Sequence, residues 1–390
     1  MSLNTKLRKI QAVLMRGGTS RGLIIKDVDL PKNSIKRDKI ISYIYGSSKN
    51  GQVNGIGGGT SLTSKLAIVG TTDKENCDIY YTFGQVDVYS NNIDYNVTCG
   101  NMASAVGLYA VEEGFVPLNE GITTVRILNT NTNRIMEVEI PVKEGEVIYE
   151  GDFQIAGVSN SGAKIMVNFL DFGGSRTGNL LPTGNVVDNI LKNDGEEIPV
   201  SIIDVGNVLV FVNAKDFSLN GIELSEKINN DKNLLNNLEE IRVKCGKKIG
   251  IFETDEVVKP ETHALPKIVI VSDSQAYYDE TGYFHSENKS DILGRYISMG
   301  KLHKAFAVSG AIGLGVACKI SGSIPNQLIQ NSEKNEILIG HPSGLLNVEV
   351  NVEKKGNNYV LIKGGTGRTA RRIMEGSAII PEKLLKEEAN

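Results

Sequence analysis

Apolar and polar residues alternate along much of the first half of the chain, which predicts short, half-buried strands. Residues 12–15 and 22–26 flank one glycine-rich turn, and residues 65–69 follow a second. Residues 125–128 and 136–140 read as a hairpin around 129–133. Two segments depart from alternation and are apolar on most faces: 101–113, with Ala103, Ala105, Val106 and Gly107, and 310–319. Such small-residue stretches predict buried helices that other backbone approaches closely. Residues 229–244 are polar with helical character, and the turn-rich segment FLDFGGSRTGNLLPTGNVVDNI from Phe169 predicts a crossing from one half of the chain to the other.

The halves resemble one another. VLMRGGTSRGLIIKDVDL from Val13 matches IIDVGNVLVFVNAKDFSL from Ile202, VRILNTNTNRIMEVEI from Val125 matches EILIGHPSGLLNVEV from Glu336, and residues 161–166 match 369–374. Cys99-Gly100-Asn101, which opens the first predicted helix, has a near-copy without the thiol in Ser309-Gly310-Ala311. A repeat this long is a duplicated domain, since solenoid repeats span about 20–50 residues. The spacing requires a short insertion in the second half, and residues 229–244 are its natural place. The expectation is an α+β chain of two pseudo-symmetric domains, 1–187 and 188–390. Each is a mixed sheet wrapped round one central helix whose N-terminus faces outward. Whether the final strand returns to the first domain stays open.

Composition removes several function classes. A net charge of -4 without a block of basic residues argues against a nucleic-acid partner. No apolar run reaches membrane-spanning length and the first residues lack a signal peptide's apolar stretch, so the expectation is a cytoplasmic protein without a membrane partner. The sequon-like Asn96-Val97-Thr98 then has no secretory context. Cys77, Cys99, Cys245 and Cys318 show no CxxC spacing and read as free thiols in a reducing compartment. The histidines form no HxxxH or HxH pair, so no metal site is expected.

Chemistry concentrates at a few positions. Cys99 stands just before a predicted helix N-terminus, where orphan N–H groups and the helix dipole favour a thiolate. The N–H groups of Gly100, Asn101 and Met102 can bind a carboxylate there. Cysteine in such a place also reads as one more small buried residue. Lys65 follows GIGGGTSLTS and leads into LAIVG; an amine entering an apolar strand is a candidate acid/base, and equally a strand-end lysine whose head reaches solvent. The segments at Gly17-Gly18, Gly57-Gly58-Gly59 and Gly364-Gly365 match neither a P-loop nor a dinucleotide fingerprint, and read as tight turns lining a cleft, with Ser20, Thr63 and Ser64 as hydrogen-bond donors. Arg295, Met299 and His303 share one face of an expected helix before Ser309; Arg295 is either a bidentate carboxylate clamp or an ordinary solvated arginine.

RGGTSRG, the TSKLAI segment around Lys65, DYNVTCGN ending at Asn101, LPTGNVVD from Leu181, GHPSG from Gly340 and RTARRIMEG from Arg368 together resemble the PrpF family. That family comprises 2-methylaconitate cis–trans isomerases, 3-methylitaconate Δ-isomerases and 4-oxalomesaconate tautomerases on a diaminopimelate-epimerase-like fold. The resemblance covers essentially the whole chain. YTFGQV, NTNTN, SIIDVGN and LEEIRVKCGKKIG look most similar to methylitaconate Δ-isomerase. It implies an active site in a cleft between two α+β domains, no metal and no organic cofactor. It carries catalytic roles onto Lys65 and Cys99 and substrate contacts onto Ser20, Thr63, Ser64, Gly100, Asn101, Ser309 and Gly310. Arg21 stands where lysine is frequent in the family, and Gly313 where cysteine is frequent.

The function expected is a cofactor-free proton shift in a small unsaturated di- or tricarboxylate, with methylitaconate to 2,3-dimethylmaleate as the leading case. Lys65 and Cys99 exchange protons with the allyl system, Lys65 as principal base, and the two helix starts hold carboxylates. An amino-acid epimerase would need a carbon base at each helix start, and Ser309 is a poor one. A silent ligand-binding protein is the rival from another class. The partner expected is the carboxylate substrate, and a homo-oligomer stays open.

Overall fold

The computed structural model describes residues 6–95, 99–170, 172–252, 265–298, 300–304, 306–356 and 358–386. Internal contacts divide the chain into two units, Met1–Asn168 with Gly367–Asn390, and Phe169–Thr366. Unit 1 opens with β1 (Leu7–Gly17), β2 (Ser20–Lys26), a 3-10 turn at Asp27–Asp29, α1 (Ser34–Tyr45), β3 (Lys65–Thr71), β4 (Ile79–Val86) and β5 (Ile93–Asp94). It continues through α2 (Gly100–Glu112), β6 (Gly121–Asn129), β7 (Arg134–Lys143), β8 (Glu146–Val147) and β9 (Ile165–Phe169). Unit 2 begins with β10 (Asp188–Leu191), β11 (Glu197–Val205), β12 (Asn207–Asn213), a 3-10 turn at Ala214–Phe217, α3 (Ser225–Asn230), α4 (Lys232–Lys248) and β13 (Lys267–Ser272). There follow β14 (Tyr277–Tyr278), β15 (Phe284–His285), β16 (Ile292–Ser298), β17 (Lys301–Leu302), α5 (Val308–Lys319), α6 (Ile324–Leu328), β18 (Glu336–His341), β19 (Gly344–Lys355) and β20 (Asn358–Arg368). The chain closes with β21 (Ala370–Pro381) and α7 (Lys383–Lys386), both in unit 1.

The two units use one pairing scheme. In unit 1, β1–β2 is antiparallel, β2–β3 parallel, β3–β4 antiparallel, β4–β6 parallel and β6–β7 antiparallel. In unit 2 the same orientations recur in β11–β12, β12–β13, β13–β16, β16–β18 and β18–β19. The duplication read from the first two sequence matches is therefore a duplication of topology. The third match is corrected. Residues 161–166 lead into β9, which pairs with β7 as β20 pairs with β19, whereas 369–374 lie on β21. The counterpart of β21 is β10: β21 runs antiparallel along all of β1, from Leu7↔Pro381 to Gly17↔Ala370, and the shorter β10 runs antiparallel along the first part of β11, from Asp188↔Val200 to Leu191↔Glu197.

The division at Asn168/Phe169 precedes the 187/188 boundary of the sequence reading. The turn-rich segment is bound to unit 2: Gly173 bridges Val205, and the Asp204 carboxylate accepts from the N–H groups of Arg176 at 2.8 Å and Thr177 at 2.7 Å. The polar segment expected as one helix over 229–244 is two. Asp231 ends α3 and caps α4, its side chain accepting from the Leu234 N–H at 2.9 Å.

Each sheet is covered on both faces. Outside β2 and β3, α1 lays Ile40, Ile41 and Ile44 over Leu23, Ile25, Leu66 and Ile68. In unit 2, Leu234, Leu238, Ile241 and Cys245 of α4 cover Val210, Val212, Ile268 and Ile270. Covered on both faces, these strands are near-continuous apolar runs and not the half-buried alternation expected, which β6 and β7 show. The inner face of unit 1 wraps α2, which packs against β1, β2, β3, β4, β6, β7 and β21. From Met102 to Val111 every α2 residue is buried. Gly107 permits the closest approach, since a Cβ there would lie 2.4 Å from Val138 Cγ1; at Gly313 of α5 it would lie 2.2 Å from Leu209 Cδ1. Among the described residues no helix is long and apolar enough to cross a membrane.

Val138 is β-branched and fully buried, so it cannot yield easily to a new side chain. Gly107→Val should destabilise unit 1 by about 2 kcal/mol or more through overpacking, against the gain in helix propensity. The check is the urea midpoint of unfolding at unchanged slope.

Candidate active site

The start of α2 gathers polar groups that the rest of the helix excludes. Cys99 is its N-cap, extended at φ −136° and ψ 102°, and its carbonyl accepts from the Ala103 N–H at 3.1 Å. The thiol does not cap the helix, so the first-turn N–H groups of Gly100, Asn101 and Met102 receive nothing from it. Its sulfur lies 4.0 Å from Ser20 Oγ. Ser20 is brought there by the tight β1–β2 hairpin, whose last pair is Gly17↔Ser20. Asn101 ties the corner together. Its Nδ2 donates to Thr19 Oγ1 at 3.0 Å and Ser20 Oγ at 3.3 Å, and its Oδ1 accepts from Arg368 Nε at 2.8 Å.

Arg368 is buried, and its Nη1 donates to the Gly367 carbonyl at 2.6 Å. Burial pulls its guanidinium down to about 10, while the Cys99 sulfur acts in the opposite sense. The Tyr81 hydroxyl reaches the Cys99 carbonyl at 3.4 Å; burial first, then the Cys99 sulfur, raises this phenol well above its ordinary value and keeps it neutral.

Lys65 opens β3 and pairs across the ladder with Gly22 of β2 and Gln85 of β4. Gly22 is required: a Cβ there would stand 1.8 Å from the Lys65 carbonyl oxygen. The same carbonyl accepts from the buried Tyr45 hydroxyl, which fixes the strand end. The ammonium is turned inward, 9% exposed, donating to Gln85 Oε1 at 2.8 Å and lying 5.2 Å over the Phe83 ring. Gln85 is oriented by its own donation to the carbonyls of Ser61 at 3.1 Å and Ser64 at 3.2 Å. Among the described residues no carboxylate pairs with Lys65. Ser20 and Gly22 lie two residues apart on one side of β2, so Lys65 and Cys99 flank the same short piece of strand, within about 7 Å along it.

Not every expected residue faces this corner. Ser64 is fully buried and donates to Gln52 Oε1 at 2.6 Å, so it holds the loop before Lys65. Thr63 is half-buried, sharing a 2.8 Å bond with Thr60 Oγ1. Met102 sends its side chain into the core and offers only its N–H. In unit 2, Ser309 is the second residue of α5, and Asn207 Nδ2 donates to its hydroxyl at 2.9 Å. Gly310 lies against the Tyr296 ring, where a Cβ would come within 2.4 Å of Cε2.

The helix expected over Arg295, Met299 and His303 is corrected. Arg295 lies on strand β16, Met299 is outside the described residues, and His303 follows β17 after a turn at Gly300. Arg295 is fully buried, not an ordinary solvated arginine. Its Nε donates to the Glu223 carbonyl at 2.7 Å, its guanidinium lies 5.5 Å from the Tyr277 ring, and burial pushes it down to about 10. Asn96-Val97-Thr98 also lies outside the described residues.

Sequence reasoning missed Arg368, Gln85 and Tyr81, although RTARRIMEG and YTFGQV contain all three. An arginine at the end of a strand gives no sign that it reaches a helix start 267 positions away. All four cysteines are free, and burial raises the thiols of Cys318 and Cys245, the latter to about 12. Among the described residues no group of three or more His, Cys, Asp or Glu could hold a metal.

A duplicated α+β unit around a central small-residue helix, with polar groups gathered at the helix start, defines the diaminopimelate-epimerase-like class. The chain belongs to the PrpF family, described as PrpF protein, which matches residues 7–381. It is 40% identical over 379 residues to the 3-methylitaconate isomerase of Eubacterium barkeri, covering 97% of this chain and 98% of that protein. It is 32% identical to the 2-methyl-aconitate isomerase of Shewanella oneidensis, covering 96% and 97%. A crystal structure of methylitaconate-delta-isomerase superposes with a TM-score of 0.91 at 38% identity, over 98% of each chain.

Asn101→Leu removes the acceptor of a buried guanidinium and the donor to Ser20. It should destabilise the protein by about 2 kcal/mol. Chemical unfolding of the variant, with Asn101→Asp as the charge-bearing control, measures this.

Proposed function

We propose that this chain is an isomerase that shifts a proton within a small unsaturated di- or tricarboxylate, with methylitaconate to 2,3-dimethylmaleate as the reaction. The observation that carries the reading is the corner of unit 1. It holds a lysine on a neutral amide and a guanidinium beside a thiol at a helix start. The N–H groups of the helix start and the guanidinium beside them favour an anion there. Here the chemistry supplies that anion as a substrate carboxylate.

A C–H next to an alkene conjugated with a carboxylate is weakly acidic, and its removal gives a dienolate. Lys65 takes the allylic proton, with Gln85 fixing the amine. Negative charge then develops on the conjugated carboxylate. Arg368 and the N–H groups of Gly100 and Asn101 stabilise it, already oriented by Asn101 and the helix. Cys99 delivers a proton at the far end of the allyl system, and Ser20 keeps the sulfur in place. The 40% relative named for 3-methylitaconate supports this substrate over 2-methylaconitate and 4-oxalomesaconate.

Methylitaconate, 2-methylaconitate and 4-oxalomesaconate, each incubated with the protein and followed by ultraviolet absorbance and proton NMR, decide among them. Turnover of methylitaconate with deuterium entering product from deuterated water is the expected result. Lys65→Met should lower kcat by about a hundred- to ten-thousand-fold, and Cys99→Ala by about a hundredfold, with folded spectra retained. Near-wild-type kcat in either variant would remove that residue from proton transfer.

A further inference from the structure

The outer face of unit 1 carries a row of three arginines. Arg16 of β1 pairs with Arg21 of β2 on one side and with Arg371 of β21 on the other. Residues opposite one another in antiparallel ladders share a face, and neighbouring strands stand about 5 Å apart. The face is the one turned away from α2. Gly17, next to Arg16, faces inward, since a Cβ there would lie 2.2 Å from the Asn101 carbonyl oxygen, while Leu23, two residues beyond Arg21, packs under α1. Arg16 and Arg21 belong to RGGTSRG and Arg371 to RTARRIMEG, and the isomerase site uses none of the three.

Among the described residues no carboxylate forms an ion pair with this row. Arg16 Nη1 donates to two backbone carbonyls, Gly18 at 3.0 Å and Thr369 at 2.9 Å. Arg21 Nε is buried without an acceptor, and its Nη2 rests on the glycine loop, 2.4 Å from where a Cβ on Gly58 would stand. Arg371 is exposed. Burial first, then the charge of Arg371, lowers the proton affinity of Arg16. Like charges directly opposite in a sheet destabilise it, and arginine does not shed its proton to escape. An external anion relieves the crowding. The chain as a whole is acidic, at -4, so the row is a local feature and not part of a general basic surface.

The same face turns apolar one row further along the strands. Leu14 and Leu23, each two residues from an arginine of the row, join Met374 and the α1 residues Tyr43 and Ile44 in lining a cavity of about 250 Å³. Residues 54–56, which begin the loop that carries Gly58, complete its wall. Tyr43 and Met374 are left 44% and 53% exposed.

We propose that this face of unit 1 binds a small amphiphilic carboxylate, its head at Arg16, Arg21 and Arg371 and its hydrocarbon chain in the adjoining cavity. Guanidinium groups meet a carboxylate with paired N–H bonds, and an apolar pocket with a few convergent polar groups at one end suits a ligand of that build. The site lies across the sheet from Ser20 and Lys65 and does not depend on the isomerase reading.

Titration of protein labelled with 13C-methyl methionine tests it, with octanoate as the probe and Met374→Leu assigning the Met374 methyl signal. Octanoate should shift that signal saturably, with a Kd of about 0.1–1 mM. Acetate, which lacks the chain, and 1-octanol, which lacks the charge, should each bind at least about tenfold more weakly. Arg21→Met and Arg371→Met should each weaken octanoate binding by about tenfold. No saturable shift at millimolar octanoate overturns the proposal, as does equal binding of 1-octanol, which leaves an apolar groove, or of acetate, which leaves a bare cationic patch. Both of those comparisons use wild-type protein and are independent of how the variants fold. Octanoate binding left unchanged in both folded arginine variants likewise overturns the assignment.

Discussion

Enclosing one helix within a sheet on nearly every side is the constraint on which the rest of unit 1 depends. With β1, β2, β3, β4, β6, β7 and β21 all against it, α2 has no solvent face, and each position along it must be small or apolar. Polar chemistry is thereby confined to the two ends. At the far end Glu112 and Glu113 are neutralised by Arg372, at 2.7 and 3.0 Å, and Glu113 also by Lys26 at 2.9 Å. At the near end stand Cys99, Asn101 and Ser20, with Arg368 above them. The location of the candidate site follows from the packing of the helix as much as from the residues themselves.

Two arginines of the chain's last segment, Arg368 and Arg372, show how differently environment can treat the same charge. Arg372 meets three carboxylates, and although burial alone would lower its affinity for a proton, these hold it above the ordinary arginine range. Arg368, four residues earlier, donates to an amide oxygen and a carbonyl, and burial draws it down. A cation matched by internal carboxylates has little field left for a ligand.

Duplication accounts for the doubled framework, and divergence for what differs at equivalent places. Cys99 caps α2, while Ser309 sits inside the first turn of α5, because α5 begins one residue ahead of it. The hairpin partner changes with it, from Ser20 beside a sulfur to Asn207 donating to a hydroxyl. The two helix starts are thus chemically unequal.

Periodicity and composition by themselves determined the strands around 22–26 and 65–69, the two small-residue helices, the hairpin at 125–140 and the repeat, since each is written in local spacing. Lys65 and Cys99 were legible because a charged or reactive residue beside a glycine-rich turn stands out in one dimension. Only the tertiary structure decided that β21 returns to β1, that Arg295 lies on a strand in the core while Arg368 reaches Asn101, and that Arg16 stands between Arg21 and Arg371. These depend on ladder register and on contacts between residues hundreds of positions apart. A chain records which residues are apolar or polar, but not which strand end will stand beside which helix start until the sheet closes.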